Sequence, residues 1–229
     1  LGDVYKRQVL VSDNLHRYET LVQACLPHCT VIVVRYDQWS LDDLKKAITD
    51  ACGERNQQYL SIGLMDHGAA GEFCLLKKVA GGSIDMGDFE GGKGKEVIAF
   101  FKWLAQYVTK PKTPGRNRAN EQGTLDLFAC SVAANEEGLK LIKFLEKTTG
   151  LNVAASTDKT GAGDGAEGGF DYVLETEGAD DNTFESYFNP EILKKWTNTM
   201  FVPVIVGGIS AGMAITGIVV SEVDKKKKR

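Results

Sequence analysis

An α/β fold with a mostly parallel central sheet and helices on both faces is predicted by three observations. Thr30-Val31-Ile32-Val33-Val34-Arg35 is a continuous β-branched run, the pattern of a strand covered on both sides. Strand-like and helix-like stretches alternate along the chain, the order that builds parallel sheets. The helical stretches also carry their own boundary signals, such as Ser40 before Leu41 and Gly53 and Gly150 after the last apolar positions.

Taken in order, Val9-Leu10-Val11 is a short buried strand, and the eight residues before it show no core period and need not be native. Tyr18 to Cys25 reads as a helix ending near Pro27. After the Thr30 strand, Ser40 caps a helix with Asp43 in its first turn, and Leu41, Leu44, Ala47, Ile48 and Ala51 form one face. Tyr59 to Gly68 is the next strand. Phe73 to Leu76 and Ser83 to Met86 are short strands around Gly81-Gly82. Glu96 to Val108 is an amphipathic helix. Thr109 to Gly123 is a basic loop, followed by a strand from Thr124 to Cys130. A helix over about Asn135 to Thr148 and a fifth strand, Leu151 to Ala155, complete the alternation. A Gly-rich loop, Gly161 to Gly169, leads to Phe170 through Glu175.

The 229 residues are 43% hydrophobic and 25% charged, which fits one globular domain with extensions. The tail after Val220 holds five basic and two acidic residues, so without it the net charge moves from −4 to −7. An acidic body of this kind argues against nucleic acid as a partner. Five cysteines, an odd number, do not suggest a disulfide framework. Cys25, His28 and Cys29 have no second ligand cluster after them, so they read as a helix end and turn, and no metal or cofactor is expected.

His67 and Cys130 each close a predicted buried strand. In an open α/β sheet, chemistry gathers outside the carboxyl ends of the strands. A thiol and an imidazole brought there form a candidate nucleophile–base pair, and His16 and His28 are the only other histidines. Gly68 has no side chain to shield its N–H, which suits an oxyanion donor. The Cys130 N–H, near the expected start of the next helix, is the second candidate donor, and that helix would lower the thiol pKa. Asp66, Asp126 and Asp158 are candidates for a pocket that takes a basic side chain. Asp158 has the best position, after the fifth strand.

Cys130-Ser131-Val132-Ala133-Ala134, Gly138, Phe144-Leu145, Thr149-Gly150, Val153-Ala154-Ala155-Ser156, Asp158, Thr160-Gly161 and Gly168-Gly169 form a specific string. With Val9 to Thr20 and His67-Gly68, it resembles the domain of unknown function 4347, over roughly Val9 to Gly178. That family looks like a branch of the caspase-like (clan CD) cysteine peptidases. They share a His-Gly after one strand and a small residue followed by Cys after the next. His67-Gly68 and Ala129-Cys130 match both. Asp66 and Ala129 stand where the family usually has Ser and Gly, as in legumain-like members. The resemblance implies a caspase-like three-layer sandwich, a His67/Cys130 dyad and a peptide or protein substrate. The alternative is an adhesion or assembly module that keeps the fold without catalysis.

Met200 to Val220 carries no charge over twenty-one residues, enough to cross a bilayer as one helix. Lys225 to Arg229 follow, so the tail is expected in the cytosol, and Trp196 is expected at the opposite interface. The terminal Lys226-Lys227-Lys228-Arg229 also matches a dilysine retrieval pattern of the endoplasmic reticulum. Gly208 and Gly212 form a small-xxx-small spacing for helix-mediated self-association. The expected organisation is thus a caspase-like domain over 9–178, a juxtamembrane linker over 179–199, a span over 200–220 and a basic tail over 221–229.

Overall fold

The computed structural model describes residues 6–53, 58–90, 94–109, 123–162, 170–176 and 183–200. In chain order its elements are β1 (Arg7–Ser12), α1 (Tyr18–Ala24), β2 (Cys29–Val34), α2 (Leu41–Cys52), β3 (Ser61–Met65), β4 (Gly68–Ala69), β5 (Glu72–Cys74), β6 (Ser83–Ile84), α3 (Met86–Glu90), α4 (Lys95–Leu104), β7 (Thr124–Phe128), α5 (Glu136–Thr149), β8 (Asn152–Ala155), β9 (Lys159–Thr160), β10 (Phe170–Asp171) and α6 (Pro190–Leu193). The central sheet has the order β2-β1-β3-β7-β8, with every pair parallel. The strand order reverses between β1 and β3, which opens a crevice at their carboxyl ends.

Local signals explain the helix boundaries. Ser40 and Asp43 form a reciprocal capping box at α2, and Asn135 caps α5 through the Gly138 N–H at 2.7 Å. Gly150 ends α5 in the left-handed conformation. The chain departs from its sequence pattern at the start, where β1 begins at Arg7 and both Arg7 and Gln8 are buried. Arg7 escapes the apolar period because its guanidinium bonds to Ser61 and lies over the Tyr187 ring.

Side chains alternate across the strands. Leu10, Ile32, Ile62, Leu64, Leu125, Leu127 and Val153 face α2, α4 and α5 in one core. Val9, Val11, Met65, Phe128 and Ala154 face the other side, with α1 and α6. Among the described residues this second face carries only the short helices α1 and α6. It is completed by residues 183–200, whose Phe184, Tyr187, Phe188, Leu193, Trp196 and Met200 are all buried. Gly63 leaves room for this packing, because a Cβ there would lie 2.6 Å from the Phe128 ring. Phe128 in turn packs on Phe184, Tyr187 and Phe188, with ring centroids 4.4, 5.1 and 5.7 Å away.

The linker expected over 179–199 is therefore, from 183 onward, part of the packed unit. Trp196 is not an interfacial residue: it is fully buried, and its indole N–H donates to the His16 carbonyl at 2.8 Å. No helix among the described residues is long and apolar enough to cross a membrane. Of the expected span, only Met200 is described, and the rest of it and the basic tail lie outside the described residues.

One polar group ties the segment to the sheet. The Tyr187 hydroxyl donates to Asp126 at 2.6 Å and sits against Ser61 Oγ, all buried. Tyr187→Phe takes a donor from the buried Asp126 carboxylate and should cost about 1–3 kcal/mol. Thermal unfolding should then fall by roughly 2–4 °C per kcal/mol lost. An unchanged midpoint would mean that this bond does not hold the segment.

Candidate active site

Met65 pairs with Phe128 across β3 and β7. His67 and Cys130 each lie two residues beyond that last pair, on the exits of adjacent strands. The strand exits press together at Gly68, where a Cβ would lie 2.8 Å from both the Ala129 Cβ and the Cys130 carbonyl oxygen. Any larger residue would push the two exits apart.

The His67 Nε2 lies 3.3 Å from the Asn14 carbonyl, at the crevice beyond β1. A carbonyl only accepts, so this bond puts the ring proton on Nε2 and leaves Nδ1 as a lone pair. Nδ1 is buried and has no hydrogen-bond partner. Burial lowers the His67 pKa, against the Asn14 and Met200 carbonyls. Burial thus favours the neutral imidazole.

Cys130 is fully buried, and its Sγ accepts from the Thr160 N–H at 3.1 Å and donates to the Thr160 carbonyl at 3.4 Å. Burial pushes the thiol up to about 11, while the N–H groups of Thr160 and Met200 pull it back. The expected help from a helix N-terminus does not arise. Ser131 adopts φ +58° and starts a turn, and α5 begins only at Glu136. No direct hydrogen bond joins His67 and Cys130 among the described residues, and burial favours the neutral form of each.

What lies against them is the chain's own backbone. The Gly68 N–H donates to the Met200 carbonyl at 2.9 Å, and the Met200 N–H donates to the Thr160 carbonyl at 3.0 Å. Thr199 pairs antiparallel with Gly161, and the Ala162 N–H donates to the Asn198 carbonyl at 3.1 Å. Gly161 permits this approach, since its φ is +134° and a Cβ would lie 2.5 Å from the Asn198 oxygen. The Tyr172 hydroxyl holds the Trp196 carbonyl at 3.2 Å. The sequence assigned no site role to Asn14, Thr160 or Met200; Thr160 entered only through the family resemblance, and Met200 reads locally as the start of an apolar run.

The three aspartates occupy different places. Asp66 is buried beside His67 and accepts from the His67 N–H at 2.7 Å and from Asn14 at 3.3 Å. It lines a small cavity with Ser12 and Cys74. Asp126 lies inside β7, four residues before Cys130, and is taken up by Tyr187. Asp158 precedes β9, its carbonyl accepts from the Ser131 hydroxyl at 3.1 Å, and its carboxylate oxygens lie within 4.8 Å of those of Asp171 and Glu175. Burial and those two carboxylates raise the Asp158 pKa. Cys25, His28 and Cys29 lie away from the dyad; Cys25 bonds to the Leu21 carbonyl, His28 to that of Ser186 and Cys29 to that of Tyr187.

Burial pushes Asp66 up to about 7, against the donors His67 N–H, Ser12 and Asn14. Its unfolded value is about 3.9, so the folded chain holds a proton that the unfolded chain releases. The stability from this proton is complete below about pH 4 and is lost as pH rises through about 7. Asp66→Asn keeps the shape and removes the titration. In urea unfolding, the variant should gain on the wild type between about pH 4 and 7 and level off above. A difference that stays flat over this range would contradict a buried, protonated Asp66.

No curated protein and no solved structure matches the chain. A family model matches residues 102–200. That stretch holds Cys130, Thr160, Gly161 and Met200, and begins after His67. Over it, the chain matches the domain of unknown function (DUF4347).

Proposed function

We propose that this chain is a membrane-anchored cysteine peptidase of caspase-like architecture. The observation that carries the reading is that the Gly68 N–H, beside Cys130 and His67, holds a peptide carbonyl at 2.9 Å. An oxyanion donor must point at such an atom. His67 Nδ1 takes the Cys130 proton as the sulfur attacks the carbonyl carbon, because two neutral groups react by general-base transfer rather than as a preformed ion pair. Gly68 N–H, with the Cys130 N–H as second donor, stabilises the oxyanion. The imidazolium then protonates the leaving amine, and water, activated by the same nitrogen, hydrolyses the thioester. A substrate strand would pair with Thr160, Gly161 and Ala162, as residues 198–200 do. Asp158, with Asp171 and Glu175, would favour a basic side chain alongside.

The uncharged run after Met200 would anchor the domain as a single-pass protein, with the tail in the cytosol and the endoplasmic reticulum as one such membrane. The second reading, an anchored adhesion or assembly module, is favoured by the burial of Cys130 and its raised pKa.

A peptide bearing a thiol-reactive electrophile separates the two. In Met200→Ala, where the strand over the thiol is loosened, Cys130 should be modified at least about 100-fold faster than Cys25 or Cys52, and adding His67→Ala should remove most of that advantage. Equal, slow modification of all the thiols would leave the module reading.

A further inference from the structure

We infer that residues 196–200 are the acyl half of a substrate built into the chain, and that Cys130 cuts the peptide bond that follows Met200. The inference rests on the peptidase reading and names its first substrate as the chain itself. Four contacts carry it. The Met200 carbonyl is on the Gly68 N–H at 2.9 Å, and the Met200 N–H is on the Thr160 carbonyl at 3.0 Å. The Asn198 carbonyl is on the Ala162 N–H at 3.1 Å, with Thr199 paired antiparallel to Gly161 between them. The Met200 side chain is fully buried in the cluster that includes Cys130, Phe184 and Trp196. Side-chain burial fixes the register of such a segment. This one brings a single carbonyl to the glycine between the imidazole and the thiol exits, and it does so with the alternating bonds of an added strand.

The step balances with water as the only co-reactant. The Cys130 sulfur bonds to the Met200 carbonyl carbon, and the Cys130 proton goes to His67 Nδ1. The bond from Met200 carbon to Phe201 nitrogen breaks, and the amine of Phe201 leaves with that proton. Water adds to the thioester, the sulfur leaves as the thiol, and Met200 ends as a carboxylate. The cut falls between the packed domain and the uncharged run that starts at Phe201. Its product is therefore a domain freed from that run. The pairing also accounts for the burial of Cys130, because the built-in strand fills the groove beside the thiol.

The test uses the full chain made in the presence of lipid vesicles, followed by intact mass measurement. The wild type should yield a fragment ending at Met200 and a second beginning at Phe201. Its rate should not change on dilution, since the reaction is intramolecular. Cys130→Ala and His67→Ala should slow it at least about 100-fold while circular dichroism shows the fold retained. Met200→Ala loosens the strand and serves as the second variant, probed with the peptide electrophile. If no fragment ends at Met200 but Cys130 in Met200→Ala reacts fast, the dyad stands and self-cleavage is overturned. If neither fragment nor fast reaction is seen, the peptidase reading falls, and this inference with it. A Cys130-dependent cut at another bond also overturns it.

Discussion

A parallel sheet buries both faces, and among the described residues the second face has too little helix of its own. α1 is seven residues long and α6 is four. The remaining apolar surface of β1, β3 and β7 must be removed from water by something else. Residues 183–200 do it, with an aromatic group around Phe128 and a fully buried Trp196. Everything at the candidate site follows from that covering. The segment crosses the sheet, is held by Tyr187 on Asp126, and reaches the carboxyl ends of the strands at Met200.

The same covering shapes the chemistry. Removing water from Cys130 and His67 favours the neutral form of each, so burial opposes the ion pair that would make the thiol most reactive. The N–H groups of Thr160 and Met200 act the other way on the sulfur, and the Asn14 carbonyl fixes the imidazole tautomer. Leaving the His67 Nδ1 buried and unbonded is costly in a folded protein.

Two glycines allow the backbone to come this close. Gly68 lets the exits of β3 and β7 touch, and Gly161, at φ +134°, lets the Asn198 carbonyl approach the strand beside Cys130. Neither role depends on flexibility. Both depend on the missing Cβ, which would overlap a neighbouring atom at 2.8 and 2.5 Å.

The sequence by itself determined the sheet-and-helix alternation, the capping of α2 by Ser40 and Asp43, the stop at Gly150 and the placement of His67 and Cys130 at strand ends. These are local properties, written in periodicity and in side-chain-to-backbone bonds within a few residues. Tertiary structure alone decided the rest. Arg7 belongs to β1 because Ser61 and Tyr187 satisfy it, and Trp196 is a core residue because His16, 180 positions earlier, accepts its N–H. Asp126 faces Tyr187, and the Met200 carbonyl meets the Gly68 N–H. An apolar or aromatic residue near a chain end has the same local pattern whether it meets lipid or a sheet face. Only the uncovered surface elsewhere in the fold distinguishes the two.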